Sequence, residues 1–358
     1  MRKFSTLFLI IPLLLAGCHK NYQMDDLMFA KVLGIDFDGE TYTVTVGLKD
    51  SSKESEDSKV VKTECKSVSE GMSKLSQKAD KRIFFGQIRV IILGEECARN
   101  GICAILDFFV RSAEMRFDLP VLVAKGTSAA SALESGKAEL SEKIESLLKS
   151  ADTVSVSGSI KISRLVEMNE DLLQAVYLPY LTFDGEPALG GYCIFSKDKL
   201  IKFLSADISR GINFLNNTFG SWVFTVNVED DVFTVIVSDS NTKITLKDGI
   251  FKINVKFKTA VLQTDSGRRD ISKDAAGEMT QKEAAIADEL IRNTVEELKA
   301  VPADAGGAFG LAYYRANKKS ARENEDLWQE NFAGIQYETE INAETDMAKI
   351  QQAHVKGN

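Results

Sequence analysis

The stretch that most clearly indicates the fold is residues 251–261, FKINVKFKTAV, in which apolar and polar side chains alternate. Because successive side chains of a strand point to opposite faces, this alternation predicts a strand with one buried face. Working outward, the chain from Trp222 to Val261 carries further strand-like segments, separated by polar breaks at residues 229–231 and at Asp248-Gly249. Such breaks between alternating segments are typical of hairpins, so this region predicts an antiparallel meander.

Before the meander, strands and helices follow one another. An Asp38-Gly39 turn predicts a hairpin, and Ser67 with Glu70 has the spacing of a capping box at the start of a helix. The apolar run at residues 84–93 predicts a strand buried on both faces, and a single helix is expected from about 95 to 111.

After the meander, the pattern changes to a long amphipathic helix. Thr280 and Glu283 predict a capping box at its start. Its apolar side chains follow at helical spacing, namely Ala287, Leu290, Ile291, Val295 and Leu298. An alternating strand is expected from Ile335 to Ile341 near the end of the chain.

These changes of pattern predict an α+β protein with three mixed α/β domains in tandem. We expect an N-terminal α/β domain at residues 18–185, a middle, mainly antiparallel β domain at 186–262, and a C-terminal α+β domain at 263–358. The predicted arrangement places the antiparallel meander in the middle domain and a helix-plus-sheet unit at the end.

Residues 1–17 are expected to be a lipoprotein signal peptide. Arg2 and Lys3 precede a short apolar run, which is too short for a spanning helix of about 20 residues. The run ends in Leu15, Ala16, Gly17 and Cys18, a pattern similar to the bacterial lipobox. We therefore expect cleavage before Cys18 and lipid attachment to its thiol; the alternative is an ordinary signal peptide with Cys18 in a disulfide.

The charge balance argues against nucleic acid as a partner. The chain has 44 Lys and Arg against 52 Asp and Glu. Loss of residues 1–17 removes two bases and no acids, which changes the formal charge from -8 to 42 − 52 = -10. A protein with this negative charge does not attract the phosphate backbone of a nucleic acid.

The other four cysteines lack the spacing of a zinc or redox site; they are Cys65, Cys97, Cys103 and Cys193. Cys97 and Cys103 fall on one expected helix about 9 Å apart in rise, too far for a disulfide. We interpret these cysteines as small core residues, with apolar neighbours around Cys103 and Cys193; a disulfide between distant positions remains open.

The sequence offers little for catalysis. Its two histidines are His19, beside the expected anchor, and His354, in the terminal tail. Metalloprotease, nucleophile-elbow and phosphate-loop motifs are all missing, so no cofactor, metal or catalytic residue is predicted. A hydrolase would require a nucleophile with a base, or a metal site, and the sequence shows no such constellation.

One compact charged cluster, Arg111, Glu114 and Arg116, follows the apolar helix. It can be a network of ion pairs at a helix end, or it can face a protein partner, because arginine is common among interface anchors. The sequence alone leaves both interpretations open.

Several segments, in order and spacing, resemble the Ger(x)C family of spore germination lipoproteins. They are the lipobox, VLGID (32–36), FGQIRVIILGEECARNGI (85–102), LDFFVRSAEMR (106–116), Leu178-Pro179, LGGYCIFSKDKL (189–200), Asp304 with Gly306, Phe309 and Gly310, and Trp328 to Phe332. The chain departs from the family pattern at His19-Lys20, where Trp-Asp is usual, and at Gln87, where histidine is frequent.

This resemblance implies three mixed α and β domains and no known catalytic residues. It further implies a C subunit of a nutrient germinant receptor, lipid-anchored to the outer face of the spore inner membrane with integral-membrane A and B subunits as partners. The competing hypothesis is a solute-binding lipoprotein of a transporter, which requires two similar α/β lobes around a cleft. The antiparallel meander argues against such lobes.

Overall fold

The computed structural model describes residues 26–50, 58–113, 115–136, 138–267, 271–318 and 327–346. Its strands are β1 (Leu27–Phe37), β2 (Tyr42–Asp50), β3 (Ser58–Cys65), β4 (Arg82–Phe84), β5 (Val90–Gly94), β6 (Val121–Ala124), β7 (Tyr177–Asp184), β8 (Glu186–Ser196), β9 (Lys199–Phe203), β10 (Trp222–Val228), β11 (Asp231–Lys247), β12 (Ile250–Thr264) and β13 (Gln336–Asp346). Its helices are α1 (Val68–Lys78), α2 (Glu95–Asn100), α3 (Cys103–Arg111), α4 (Ala129–Gly136), α5 (Leu140–Val154), α6 (Ile162–Glu170), α7 (Ala206–Leu215), α8 (Lys273–Ala300), α9 (Ala308–Ala316) and α10 (Trp328–Phe332).

The larger sheet has the strand order β3-β2-β1-β5-β6-β7-β8-β9, with β4 also beside β1. Neighbours among β1, β5, β6 and β7 are parallel, whereas the outer strands pair antiparallel. Every residue of β5 and β6 is buried. Continuous apolar sequence is what a parallel strand covered on both faces requires, so the prediction for residues 84–93 is confirmed from Val90 onward. It is wrong for the first part of that run, because Phe84 is exposed and residues 85–87 form a 3₁₀ turn.

The smaller sheet confirms the predicted meander. Strands β10, β11 and β12 pair antiparallel in that order, and β13 joins β12 in parallel. The alternating residues Phe251, Ile253, Val255 and Phe257 are all buried. The apolar side chains predicted for α8 are buried as well. The prediction of a mixed α and β fold is therefore confirmed.

The start of the long helix was predicted wrongly. Helix α8 begins at Lys273, where Ser272 Oγ accepts a hydrogen bond from the Ala275 amide at 3.0 Å. Thr280 lies inside the helix and donates its hydroxyl to the carbonyl of Ala276 at 2.9 Å. The helix starts earlier because Ala275 is buried against the smaller sheet, which gives the additional turns a packing face.

The predicted single helix at 95–111 is two helices. Gly101 has a φ of 120°, a conformation that glycine adopts readily and that ends α2. Cys103 then starts α3 and is exposed, so its expected burial is wrong. The other three cysteines outside the lipobox are buried free thiols, as predicted.

Strands β8 and β9 continue the larger sheet beyond residue 185, since β8 pairs with β7. One apolar cluster also includes residues from both sheets, from Met28 to Ile335. Helices α7 and α8 approach closely at Gly211, where a Cβ atom would lie 1.9 Å from Thr294 Oγ1. The three-domain division stays a prediction; in the structure its first boundary falls inside a sheet.

Within the described residues, no helix combines the length and apolar character needed to cross a membrane.

Candidate functional site

Two of the positions noted in the sequence lie at the amino ends of β5 and β6. Gln87 ends a short 3₁₀ turn before β5, and Arg116 lies in the segment that leads into β6. Both line an open cleft of about 530 Å³, whose remaining lining residues are Arg89, Asp118, Leu119, Pro120 and Glu145. The structure therefore brings together residues 29 positions apart that the sequence could not connect.

The arginines of the predicted charge cluster pair with local carboxylates. Arg116 donates to both carboxylate oxygens of Asp118 at 3.0 Å, and this bond raises the pKa of Arg116 and lowers that of Asp118. Arg111 Nε lies 2.7 Å from Asp107 Oδ1, one turn back in α3. Glu114 lies outside the described residues. The role of this cluster at an interface stays a prediction.

Two lining residues of the cleft, Gln87 and Arg89, make further polar contacts. Lys31 Nζ donates to Gln87 Oε1 at 3.0 Å, and Arg89 Nη1 lies 3.4 Å from Glu145 Oε2. Burial, and then the charge of Arg89, lower the pKa of Lys31. The lining provides hydrogen-bond donors, acceptors and paired charges, without a Ser, Cys or His nucleophile among the described side chains. Such a surface is suited to binding a polar partner.

Sequence reasoning missed Asp36, at the carboxyl end of β1. Its carboxylate accepts the amide N–H groups of Ala129 and Ala130 at 2.7 and 2.9 Å, which caps the first turn of α4. Burial raises its pKa, against the effect of these two bonds. A Cβ atom on Gly94 would lie 1.9 Å from Asp36 Oδ1, so glycine is required there. The segment 32–36 was noted only through the family resemblance, since the partner helix is more than 90 residues away.

Asp304 is a second buried carboxylate, and three N–H groups of neighbouring elements donate hydrogen bonds to it. Its side chain accepts the amide N–H of Gly310 at 2.6 Å, that of Phe309 at 3.5 Å and the indole N–H of Trp328 at 3.2 Å. Its backbone carbonyl accepts the Ala175 amide at 2.9 Å, just before β7. Burial raises the pKa of Asp304 to about 7. The residue thus joins α9, α10 and the larger sheet, which accounts for the spacing seen around it in the sequence.

The lipobox, residues 15–18, lies outside the described residues, and so do both histidines. Among the residues that the structure does describe, no three His, Cys, Asp or Glu side chains are grouped to hold a metal ion.

Comparison with known proteins gives two family matches in tandem. Residues 20–183 match the spore germination protein N-terminal domain, and residues 190–348 match the spore germination B3/GerAC-like C-terminal domain. The fold and these matches define a two-part spore germination protein. The chain belongs to the GerAC-like family.

Individual relatives agree with this. The chain is 27% identical over 282 residues to spore germination protein B3 of Bacillus subtilis (strain 168), covering 72% of this chain and 73% of that protein. It is 24% identical over 201 residues to spore germination protein GerQC of Bacillus cereus, covering 54% of this chain and about half, 56%, of that protein. The crystal structure of the GerBC protein matches with a TM-score of 0.57 at 18% identity, over 87% of this chain and 96% of that one. At 18% identity, the similarity to the GerBC structure shows a shared fold and no more.

Proposed function

We propose that this chain is the non-enzymatic C subunit of a spore nutrient germinant receptor. In this proposal it is lipid-anchored through Cys18 to the outer face of the spore inner membrane and assembles with integral-membrane A and B subunits. The observation that carries the proposal is the tandem match of both family domains across residues 20–348. The names of the relatives, all spore germination proteins, support it.

The anchor would hold the folded body close to the bilayer. Strand β1 begins at Leu27, nine residues after Cys18. Nine residues span at most about 30 Å when fully extended. A diacylglyceryl group supplies two acyl chains, and two chains give stable membrane attachment. The body would therefore remain within reach of integral-membrane partners.

A binding role fits the cleft beside Gln87, whose charges are paired and whose lining suits polar contacts. The competing hypothesis, a transporter's solute-binding lipoprotein, requires two similar lobes. The two sheets described differ in strand number and strand order, which favours the receptor subunit.

Replacement of the anchoring cysteine tests the location. Cys18→Ala should move the protein from the membrane fraction of spores to the soluble fraction, because the tether is outside the packed core. Cys103→Ala is the matched control: it removes an exposed cysteine from the folded body and should leave the protein in the membrane. Equal membrane retention of both variants would contradict the lipid anchor.

A germination assay tests the function. Spores that lack this chain should fail to lose refractility with the receptor's nutrient, and the wild-type gene should restore the response. If the role is non-enzymatic, Asp36→Asn and Glu283→Gln should change germination only as far as they change the amount of folded protein. Complete loss of germination at normal protein level and stability would favour catalysis instead.

A further inference from the structure

A second cleft, of about 730 Å³, lies between β11, α9 and the start of α6. We call it the junction cleft, since its lining comes from all three units predicted in the sequence. Residues 242–246 of β11 form one side and residues 306–316, including most of α9, form the other. Ser159, Ile160, Arg164 and Tyr177 from the N-terminal unit and residues 215–218 at the end of α7 complete it.

The charge of the junction cleft is opposite to that of the protein. None of its twenty described lining residues is Asp or Glu, whereas three are cations: Arg164, Lys243 and Arg315. The chain as a whole carries 52 acidic and 44 basic side chains. A recess lined by one sign of charge concentrates ligands of the other sign, so this cleft attracts anions.

The three cations differ in their partners within the described part of the chain. Arg164 is engaged already, with Glu167 Oε1 at 2.9 Å and Gln174 Oε1 at 2.7 Å. Lys243 and Arg315 are exposed, and neither has a carboxylate within 4.0 Å among the described residues. An arginine fork and a lysine ammonium together are suited to a carboxylate or a phosphate group.

A buried hydroxyl lies in the same lining. Thr242 is 7% exposed, and its Oγ1 has no hydrogen-bond partner in the part of the chain that is described. A buried polar group left without a partner costs about 1–3 kcal/mol. Because this oxygen is closed to solvent, it lies beyond the reach of a ligand in the open cleft and does not contribute to binding.

The backbone at this point is closed to an added strand. β11 pairs with β10 only up to Val237, so no described strand pairs with its later part on that side. Asn217, however, accepts the Thr242 amide at 2.6 Å and donates to the Thr242 carbonyl at 2.8 Å. Because a peptide that extends a sheet needs these backbone groups, the cleft favours a small molecule over a strand.

The remaining lining is a mixture of apolar and uncharged polar side chains. Leu311 of α9 is 48% exposed, and Ile244 and Leu246 of β11 are half-buried. Clefts of 300–1,000 Å³ with an apolar surface and a few polar groups are typical of small-molecule sites.

We propose that the junction cleft binds a small organic anion, with its acidic group against Lys243 and Arg315 and its apolar part on Leu311. This inference does not depend on the proposed receptor function. Carboxylate and phosphate share the required chemistry, and the experiment separates them.

The test is isothermal titration calorimetry of the full-length chain in detergent micelles, with micelles alone as the blank. The probes are butanoate and butyl phosphate, compared with butanol and butylammonium. We expect saturable binding of at least one of the two anions and none of butylammonium. The proposal would be overturned if neither butanoate nor butyl phosphate binds.

Variants locate the binding. The double variant Lys243→Ala/Arg315→Ala should weaken the affinity for the anion at least tenfold. The control Lys247→Ala/Lys256→Ala removes the same charge outside the cleft and should leave the affinity unchanged. Equal losses in both double variants would show a non-specific charge effect and would refute the site.

Hexaglutamate provides the final comparison. Binding of this peptide at least tenfold tighter than either small anion, abolished by Lys243→Ala/Arg315→Ala, would make an acidic peptide the occupant and overturn the small-molecule proposal. Circular dichroism of each variant establishes that the losses do not come from unfolding.

Discussion

Replacement of Asp304 by Asn should change how the stability of the protein depends on pH. Two effects act on this carboxylate in opposite directions. Burial disfavours its charged form, whereas the N–H groups of Gly310, Phe309 and Trp328 favour it. Burial is the larger effect, and it raises the pKa of Asp304 from 3.8 to about 7.

The direction of the pH effect follows from this pKa. The folded protein holds the proton on Asp304 more tightly than the unfolded chain does, so the contribution to stability is complete below about pH 4. It is lost as the pH rises through the folded-state value. Between pH 5 and pH 7 the loss is about 2 kcal/mol, from 1.36 kcal/mol per pH unit over the range in which only the folded state is protonated.

Urea unfolding of the wild type and of Asp304→Asn at pH 5, 6 and 7 measures this effect. The free energy of unfolding of the wild type minus that of the variant should fall by about 2 kcal/mol over this range, because Asn does not titrate. Contributions from other titrating groups cancel in the difference. Fluorescence is a suitable signal, since the Trp328 indole donates to this carboxylate. A difference that stays constant or grows with pH would refute the dominance of burial.

Three further substitutions and one labelling reaction test the packing. Gly94→Ala should destabilise the protein by about 1–3 kcal/mol in urea unfolding, because the new Cβ would clash with Asp36. Gly277→Ala in α8 has open space around its Cβ and should stabilise the protein by up to about 1 kcal/mol. Equal effects of the two substitutions would contradict this geometry. Among the described cysteines, Cys103 should react first with maleimide in the native protein, as peptide mapping would show; earlier labelling of a buried cysteine would be inconsistent with the fold. Glu283→Gln should lower the free energy of unfolding at pH 8 by less than about 1 kcal/mol, or even raise it. The reason is that burial raises the pKa of Glu283 and that one of its carboxylate oxygens has no hydrogen bond within the described residues. A loss above about 3 kcal/mol would mean that the charge of Glu283 is stabilising.

Local patterns in the sequence predicted much of the fold. The Asp38-Gly39 hairpin forms as expected, and Ser67 Oγ accepts the Glu70 amide at 3.2 Å at the start of α1. These features depend on residues a few positions apart, where turn chemistry and side-chain spacing are decisive. The alternation in β12 was equally informative, since a one-sided strand requires it.

What the sequence could not predict depends on distant pairs. Thr280 and Glu283 fit a capping box, but Glu283 faces the smaller sheet and accepts the hydroxyls of Thr259 and Thr345 at 2.9 and 3.0 Å. The cap of α4 comes from Asp36, in the first strand. Such contacts arise from tertiary packing, and the pattern of a single sequence gives no signal for them.

The most direct measurement of the central claim is mass spectrometry of the chains that co-purify with this protein from detergent-extracted spore inner membranes. Wild-type protein and Cys18→Ala would be captured in parallel through the same affinity tag. The proposed function predicts multi-spanning receptor subunits with the wild type and their loss or strong depletion with the variant. Capture of a transporter permease, or of no integral-membrane partner, would contradict the assignment as a receptor subunit.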